Sequence, residues 1–114
     1  MILDVKKIKI AVMVPEENLE DVRIAMCEAG CGHIGNYTHC TMATKITGTF
    51  MGNDKTNQYI GSKNVIESRK EIKLEALCSI ENAEAVLAAI RRAHPYEESG
   101  IDIYPMIDEE DLRK

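Results

Sequence analysis

A chain of 114 residues makes one ordinary domain, long enough to bury a core without disulfides or a structural metal. Its 14 Lys and Arg against 19 Asp and Glu leave a formal charge of −5, which argues against nucleic acid or an anionic membrane as partner. Both reward a clustered positive face, and five aromatics (Tyr37, Phe50, Tyr59, Tyr96, Tyr104) with no Trp leave little for base stacking.

Met1 to Lys7 has neither an apolar h-region nor a small-residue cleavage site. The apolar run Ile10 to Val14 is far short of a membrane span. A soluble, cytoplasmic protein is therefore expected, with Cys27, Cys31, Cys40 and Cys78 as reduced thiols. Ile8, Ile10, Val12 and Val14 alternate with Lys9, Ala11 and Met13, which predicts a strand ended by Pro15. A helix follows. Glu16, Glu17, Glu20 and Asp21 suit its positive end, Leu19, Val22, Met26 and Ala29 with Ala25 form its apolar stripe, and Gly30 stops it. Tyr37 to Met51, rich in Thr, Ile, Tyr and Phe, reads as a strand. Gly52 to Ser68 reads as a long hairpin loop, and Glu71 to Cys78 as a second alternating strand. A second helix buries Ala83, Val86, Leu87 and Ile90 and halts at Pro95, before a last strand, Ile101 to Tyr104. Asp108 to Asp111 reads as a solvated acidic end.

An internal repeat organises these elements. Residues 17–30 laid over residues 81–94 agree at six of fourteen positions, at a constant offset of 64. Ordinary residue usage gives on the order of one match. The register extends back over Lys9 to Val14 and Lys73 to Cys78, so the unit repeated is strand plus helix. The order β-α-β-β-α-β predicts an α+β, ferredoxin-like domain over residues 1–114, with both helices on one face of an antiparallel sheet and an extended hairpin between its second and third strands. In that topology the two helices exit at opposite ends of the sheet. Cys31 to Asn36 and His94 to Ser99 should lie apart within one protomer, with the hairpin loop at the His94 end. A site combining both exits must then be built between subunits.

Two segments carry more reactive side chains than packing requires: Gly32-His33-Ile34-Gly35-Asn36-Tyr37-Thr38-His39-Cys40 and His94-Pro95-Tyr96-Glu97-Glu98. With Thr47-Gly48-Thr49-Phe50, they resemble the CutA-like, PII-like module inserted in many bacterial members of the NGG-one-interacting-factor-three family. The resemblance runs from about Lys9 to Met106, and the chain is similar to a stand-alone form of that insert. It implies assembly into homo-oligomers, trimers by analogy with CutA and PII proteins, through edge strands and long hairpins. Members of the larger family carry a dinuclear metal site, and some bear GTP-cyclohydrolase-like names. Those ligands lie in flanking halves outside the resemblance, so none is carried onto a residue here, and a separate protein partner could supply such halves.

On their own terms, His33, His39, Cys40, His94, Glu97 and Glu98 are candidate ligands for a divalent ion such as zinc or copper, although no pair has a standard ligand spacing. Gly35, Asn36, Tyr37 and Tyr96, in the same segments, are candidate binding residues. The structural alternative has His33 and His94 hydrogen-bonding backbone carbonyls left free at the helix exits. Cys27 and Cys78 read as small core hydrophobes, and a thiolate site at Cys27 and Cys31 is disfavoured at a helix C-terminus beside Glu28. Glu97 and Glu98 could do acid–base work only if their environments separated their pKa values. The scattered Gly48, Gly52 and Gly61 form no phosphate cradle. No nucleophile–base pair is visible. The leading expectation is thus a non-catalytic oligomeric binding or regulatory module. A divalent-metal-binding protein with sites between subunits is the alternative, and a metal-dependent hydrolase is carried only by the family name.

Overall fold

The computed structural model describes residues 4–57, 61–96 and 99–113. It contains β1 (Lys7–Val14), α1 (Leu19–Glu28), β2 (Met42–Phe50), β3 (Glu67–Ser79), α2 (Ala83–Ala93) and β4 (Gly100–Met106). The strands form one antiparallel sheet in the order β2-β3-β1-β4, with α1 and α2 packed side by side. This is the ferredoxin-like arrangement the repeat predicts. Among the described residues no helix is long and apolar enough to cross a membrane.

The core lies between the sheet and the helices. Register places Ile8, Ile10, Val12 and Val14 of β1 opposite Cys78, Ala76, Leu74 and Ile72 of β3, and all eight are buried. Val22 and Met26 of α1 and Val86 and Ile90 of α2 close over them, each without solvent exposure. A stripe of this kind stabilises a helix by burial, at roughly 1.5–3 kcal/mol for each large aliphatic side chain.

The repeat holds in detail. A 3-10 turn precedes each helix, at Glu16–Asn18 and Ile80–Asn82, and the helices begin at Leu19 and Ala83, so the turns and the helix starts are all offset by 64. The fully buried pairs Val22/Val86 and Met26/Ile90 are equivalent under the same offset. The exits differ. After α1, Gly30 at φ +116° lets the Gly30 N–H donate to Cys27 O (3.1 Å) and the Cys31 N–H to Met26 O (3.0 Å), a Schellman closure. After α2, His94 adopts an extended conformation (φ −79°, ψ 136°), as a residue preceding proline prefers.

Each exit is held by a strand of the other repeat, at equivalent carbonyls. Leu77 O of β3 accepts the Gly32 N–H at 2.8 Å, while Met13 O of β1, 64 positions earlier, is bonded by His94 Nε2 at 2.6 Å. The two anchoring carbonyls therefore lie towards opposite ends of β1, Leu77 facing Lys9, four residues and about 13 Å along the strand from Met13.

Element bounds shift in three places. Residues 37–41 are not strand: Gly35 at φ +57° and His39 at φ +58° break the extended path, and Ile34 and Tyr37 instead pair across a tight turn. Their β-favouring composition reflected an exposed turn rather than a sheet partner. β3 starts at Glu67 rather than Glu71, because Phe50 to Ile46 continue the ladder beyond the end of β1, opposite Glu67 to Glu71. That overhang is the extended hairpin. β4 continues through Pro105 to Met106, which an edge strand tolerates.

Candidate functional site

At the hairpin end, the strand register and the α2 exit bring together two of the signature segments. β3 presents Glu71 on the face away from the helices, opposite Ile46 and two register positions from Gly48. The residue is nearly buried, and a Cβ on Gly48 would stand 2.5 Å from its Oε1. Glycine is thus what lets the carboxylate lie across β2. Tyr96 reaches the same group from the α2 exit, its phenol donating to Glu71 Oε2 at 2.9 Å. Burial, then the neighbouring carboxylate, pushes the phenol pKa up to about 12, so Tyr96 remains a donor.

Arg69, two residues before Glu71, donates from its guanidinium to Glu17 Oε1 at 3.0 Å. Its Nε is buried without a hydrogen-bond partner. His94 anchors the cluster from behind. It is 6% exposed, and its ring packs 4.8 Å from the Tyr96 ring. Nδ1 accepts the Tyr96 N–H at 3.1 Å, so the neutral ring carries its proton on Nε2 and donates it to Met13 O.

This arrangement couples Gly48 to Tyr96 through one carboxylate. Gly48→Ala is expected to displace Glu71, and Tyr96→Phe to remove its donor, each costing about 0.5–1.5 kcal/mol. The double variant should cost clearly less than the two together, as a double-mutant cycle in urea will show. Full additivity would mean that the two residues act separately.

At the other end, residues 32–40 form a compact projection. The Ile34 N–H donates to Tyr37 O (3.0 Å), the Tyr37 N–H to Ile34 O (2.9 Å), and the Cys40 N–H to Gly32 O (2.9 Å). Gly32 sits at φ +76°, where a Cβ would lie 3.0 Å from Cys40 O. The base is therefore tight and the tip open. His33, Ile34, Gly35, Asn36 and His39 are exposed, and Tyr37 is 75% exposed. His39 Nδ1 lies 2.9 Å from Thr38 Oγ1, and the half-buried Cys40 thiol lies 3.8 Å from Thr38 O.

The predicted site residues thus divide between two ends. His33, Gly35, Asn36, Tyr37, His39 and Cys40 share the projection, while His94 and Tyr96 lie at the hairpin end. Glu97 and Glu98 fall outside the described residues. Among the described residues no three His, Cys, Asp or Glu side chains come together as a metal site within one chain. His94 has both ring nitrogens engaged, and its partner carbonyl belongs to β1 rather than to a helix exit. Cys27 and Cys78 are buried as expected, and so is Cys31. Burial raises the pKa of all three thiols, that of Cys31 to about 12.

Glu71 and Arg69 escaped the sequence reading. In a strand with alternating charges, nothing local separates a carboxylate caught under a tyrosine from one in water.

No family model matches the chain. Two curated relatives named GTP cyclohydrolase 1 type 2 homolog are each 42% identical to it. The one from Halalkalibacterium halodurans matches over 101 residues, 89% of this chain and 27% of its own length; that of Mycobacterium tuberculosis matches over 99 residues, 87% and 26%. The solved structure of a Bacillus cereus protein related to NIF3 superposes at a TM-score of 0.80 with 36% identity, over 91% of this chain and 26% of its own. The chain is a homologue of one segment of NIF3-family proteins. It spans about a quarter of the length of the relatives it matches. CutA from Synechococcus elongatus (TM-score 0.67, 17% identity, 93% of this chain and 81% of its own) and GlnK from B. subtilis (0.60, 15%, 89% and 85%) share the fold of this NIF3-like module.

Proposed function

We propose that this NIF3-like module is a non-catalytic binding or regulatory unit that self-associates, as a trimer, and binds at the seams between protomers. The observation that carries this reading is the second face of the sheet. By register it holds Met13 of β1, Leu77 of β3, Met42, Ile46 and Phe50 of β2, and Tyr104 and Met106 of β4. Met42 and Tyr104 are exposed, and both helices lie on the other side. A sheet with apolar groups on both faces is stable when a second layer covers it, and β2 and β4 also leave open edges. A second copy supplies both kinds of cover. Neighbours in such an assembly can bring the projection at residues 32–40 of one protomer towards the Tyr96 end of the next.

Sedimentation should give a discrete oligomer at micromolar concentration, and Ile46→Lys, which charges the uncovered face, should shift it towards monomer. A strict monomer at all concentrations would end this reading.

The exposure of His33, His39 and, in part, Cys40 in one projection favours a second reading, divalent-metal binding between subunits. Titration of zinc and copper into metal-free protein should then show binding tighter than tens of micromolar, and weaker binding excludes it. The cyclohydrolase name belongs to relatives about three times as long, and no reaction is assigned from it to this segment.

A further inference from the structure

We propose that Cys31 and Cys78 close to a disulfide in the presence of a low-molecular-weight disulfide, and that this bond latches the base of the projection at residues 32–40 onto β3. The control it exerts on binding rests on the function proposed above; the bond itself does not.

The two thiols come from different repeats and meet under the sheet end. Cys31, the residue closing the α1 exit, is 0% exposed, and Cys78, near the end of β3, is 2% exposed. Their sulfurs donate to carbonyl groups two residues apart on β3, Cys31 to Leu77 O at 3.4 Å and Cys78 to Ser79 O at 3.3 Å. The 2.8 Å bond from the Gly32 N–H to Leu77 O fixes the two chain segments side by side. That bond joins the residues next to the two cysteines, and a disulfide needs their Cα atoms within roughly 4.4–6.8 Å. Burial raises both thiol pKa values, and each is also shifted by the other thiol.

Packing alone does not call for sulfur here. Under the offset of 64 the equivalent positions at the other end are Pro95 and Val14, so an apolar pair serves where the repeat has no thiols.

The chemistry balances with one oxidant. A thiolate of the pair attacks the small disulfide, forming a mixed disulfide and releasing one small thiol. The second thiolate then attacks the protein sulfur of the mixed disulfide and releases the other small thiol. Two protein S–H groups are oxidised and one small disulfide is reduced. Burial opposes formation of the thiolate in the closed fold, so the reaction proceeds through opening of residues 31–40 and its rate follows that opening.

Reduced protein incubated with glutathione disulfide and digested without reductant should yield a Cys31–Cys78 cross-linked peptide. Cys40→Ser should retain it. Cys78→Val, chosen to match the equivalent Val14, should abolish it while keeping the fold. Hydrogen exchange at residues 32–40 should slow at least tenfold in the oxidised protein. Glutathione on Cys40 alone, a Cys27–Cys40 link in its place, or unchanged exchange would each overturn the proposal. Sedimentation of both redox forms separates the two ideas: a strict monomer that still forms the latch defeats self-association and leaves the disulfide standing.

Discussion

His94→Ala is expected to lower the free energy of unfolding by about 2–4 kcal/mol, while His33→Ala stays within about 0.5 kcal/mol of the parent. The contrast follows from what each ring touches. The His94 ring spans two elements, donating to Met13 O in β1 and accepting from the Tyr96 N–H, and it is 6% exposed. Its removal strands a carbonyl and an N–H in a site with little room for water and leaves a void beside the Tyr96 ring. His33 stands in solvent at the tip of the projection, where truncation removes little. Urea denaturation of both variants decides the matter. Equal, small losses would show that the α2 exit is not tied to β1.

Stability should also fall steadily above about pH 9. The folded chain holds Cys31 at a pKa of about 12 and Tyr96 at about 12, against ordinary values of 9.0 and 10.0, and raises those of Cys27 and Cys78. Between those ordinary values and the folded ones, the unfolded chain has released protons that the folded chain still holds. Unfolding therefore gains with rising pH. The contribution is fully present below about pH 9 and is lost as pH passes through the folded values. For Cys31 alone a rise of this size corresponds to about 4 kcal/mol between its two ionisation states. Urea midpoints at about pH 8, 9, 10 and 10.5 should decline, and less steeply in Cys78→Val. A flat profile would mean that the thiols are not enclosed as described.

Both expectations concern contacts that lay beyond the reach of local pattern. The period-two run at Ile8 to Val14 and the stripe at Leu19, Val22 and Met26 each encode one element and the face it buries. The offset of 64 encodes that the element pair occurs twice, and the helix stops at Gly30 and Pro95 are written in single residues. From these the antiparallel sheet and the separation of the two exits follow with little freedom. Residues 37–41 misled the reading because Thr and Tyr favour extended backbone wherever they stand, whereas the positive φ at Gly35 and His39 was set by the closure of Gly32 on Cys40 and Leu77.

The candidate site divides in the same way. That the Gly32 to Cys40 and His94 to Glu98 segments are unusual was plain from composition, as was their placement at opposite ends once the topology was known. That Gly48 and Tyr96 share Glu71, and that Cys31 lies against Cys78, could not be read. The partners are 25 residues apart in one case and 47 in the other, and each is of a kind that is ordinary in a strand. Periodicity and stop residues act within a few positions along the chain, so they specify strands, helices and the repeat. Which side chain meets which across the sheet depends on register and on how each helix exit closes, and only the folded chain sets those.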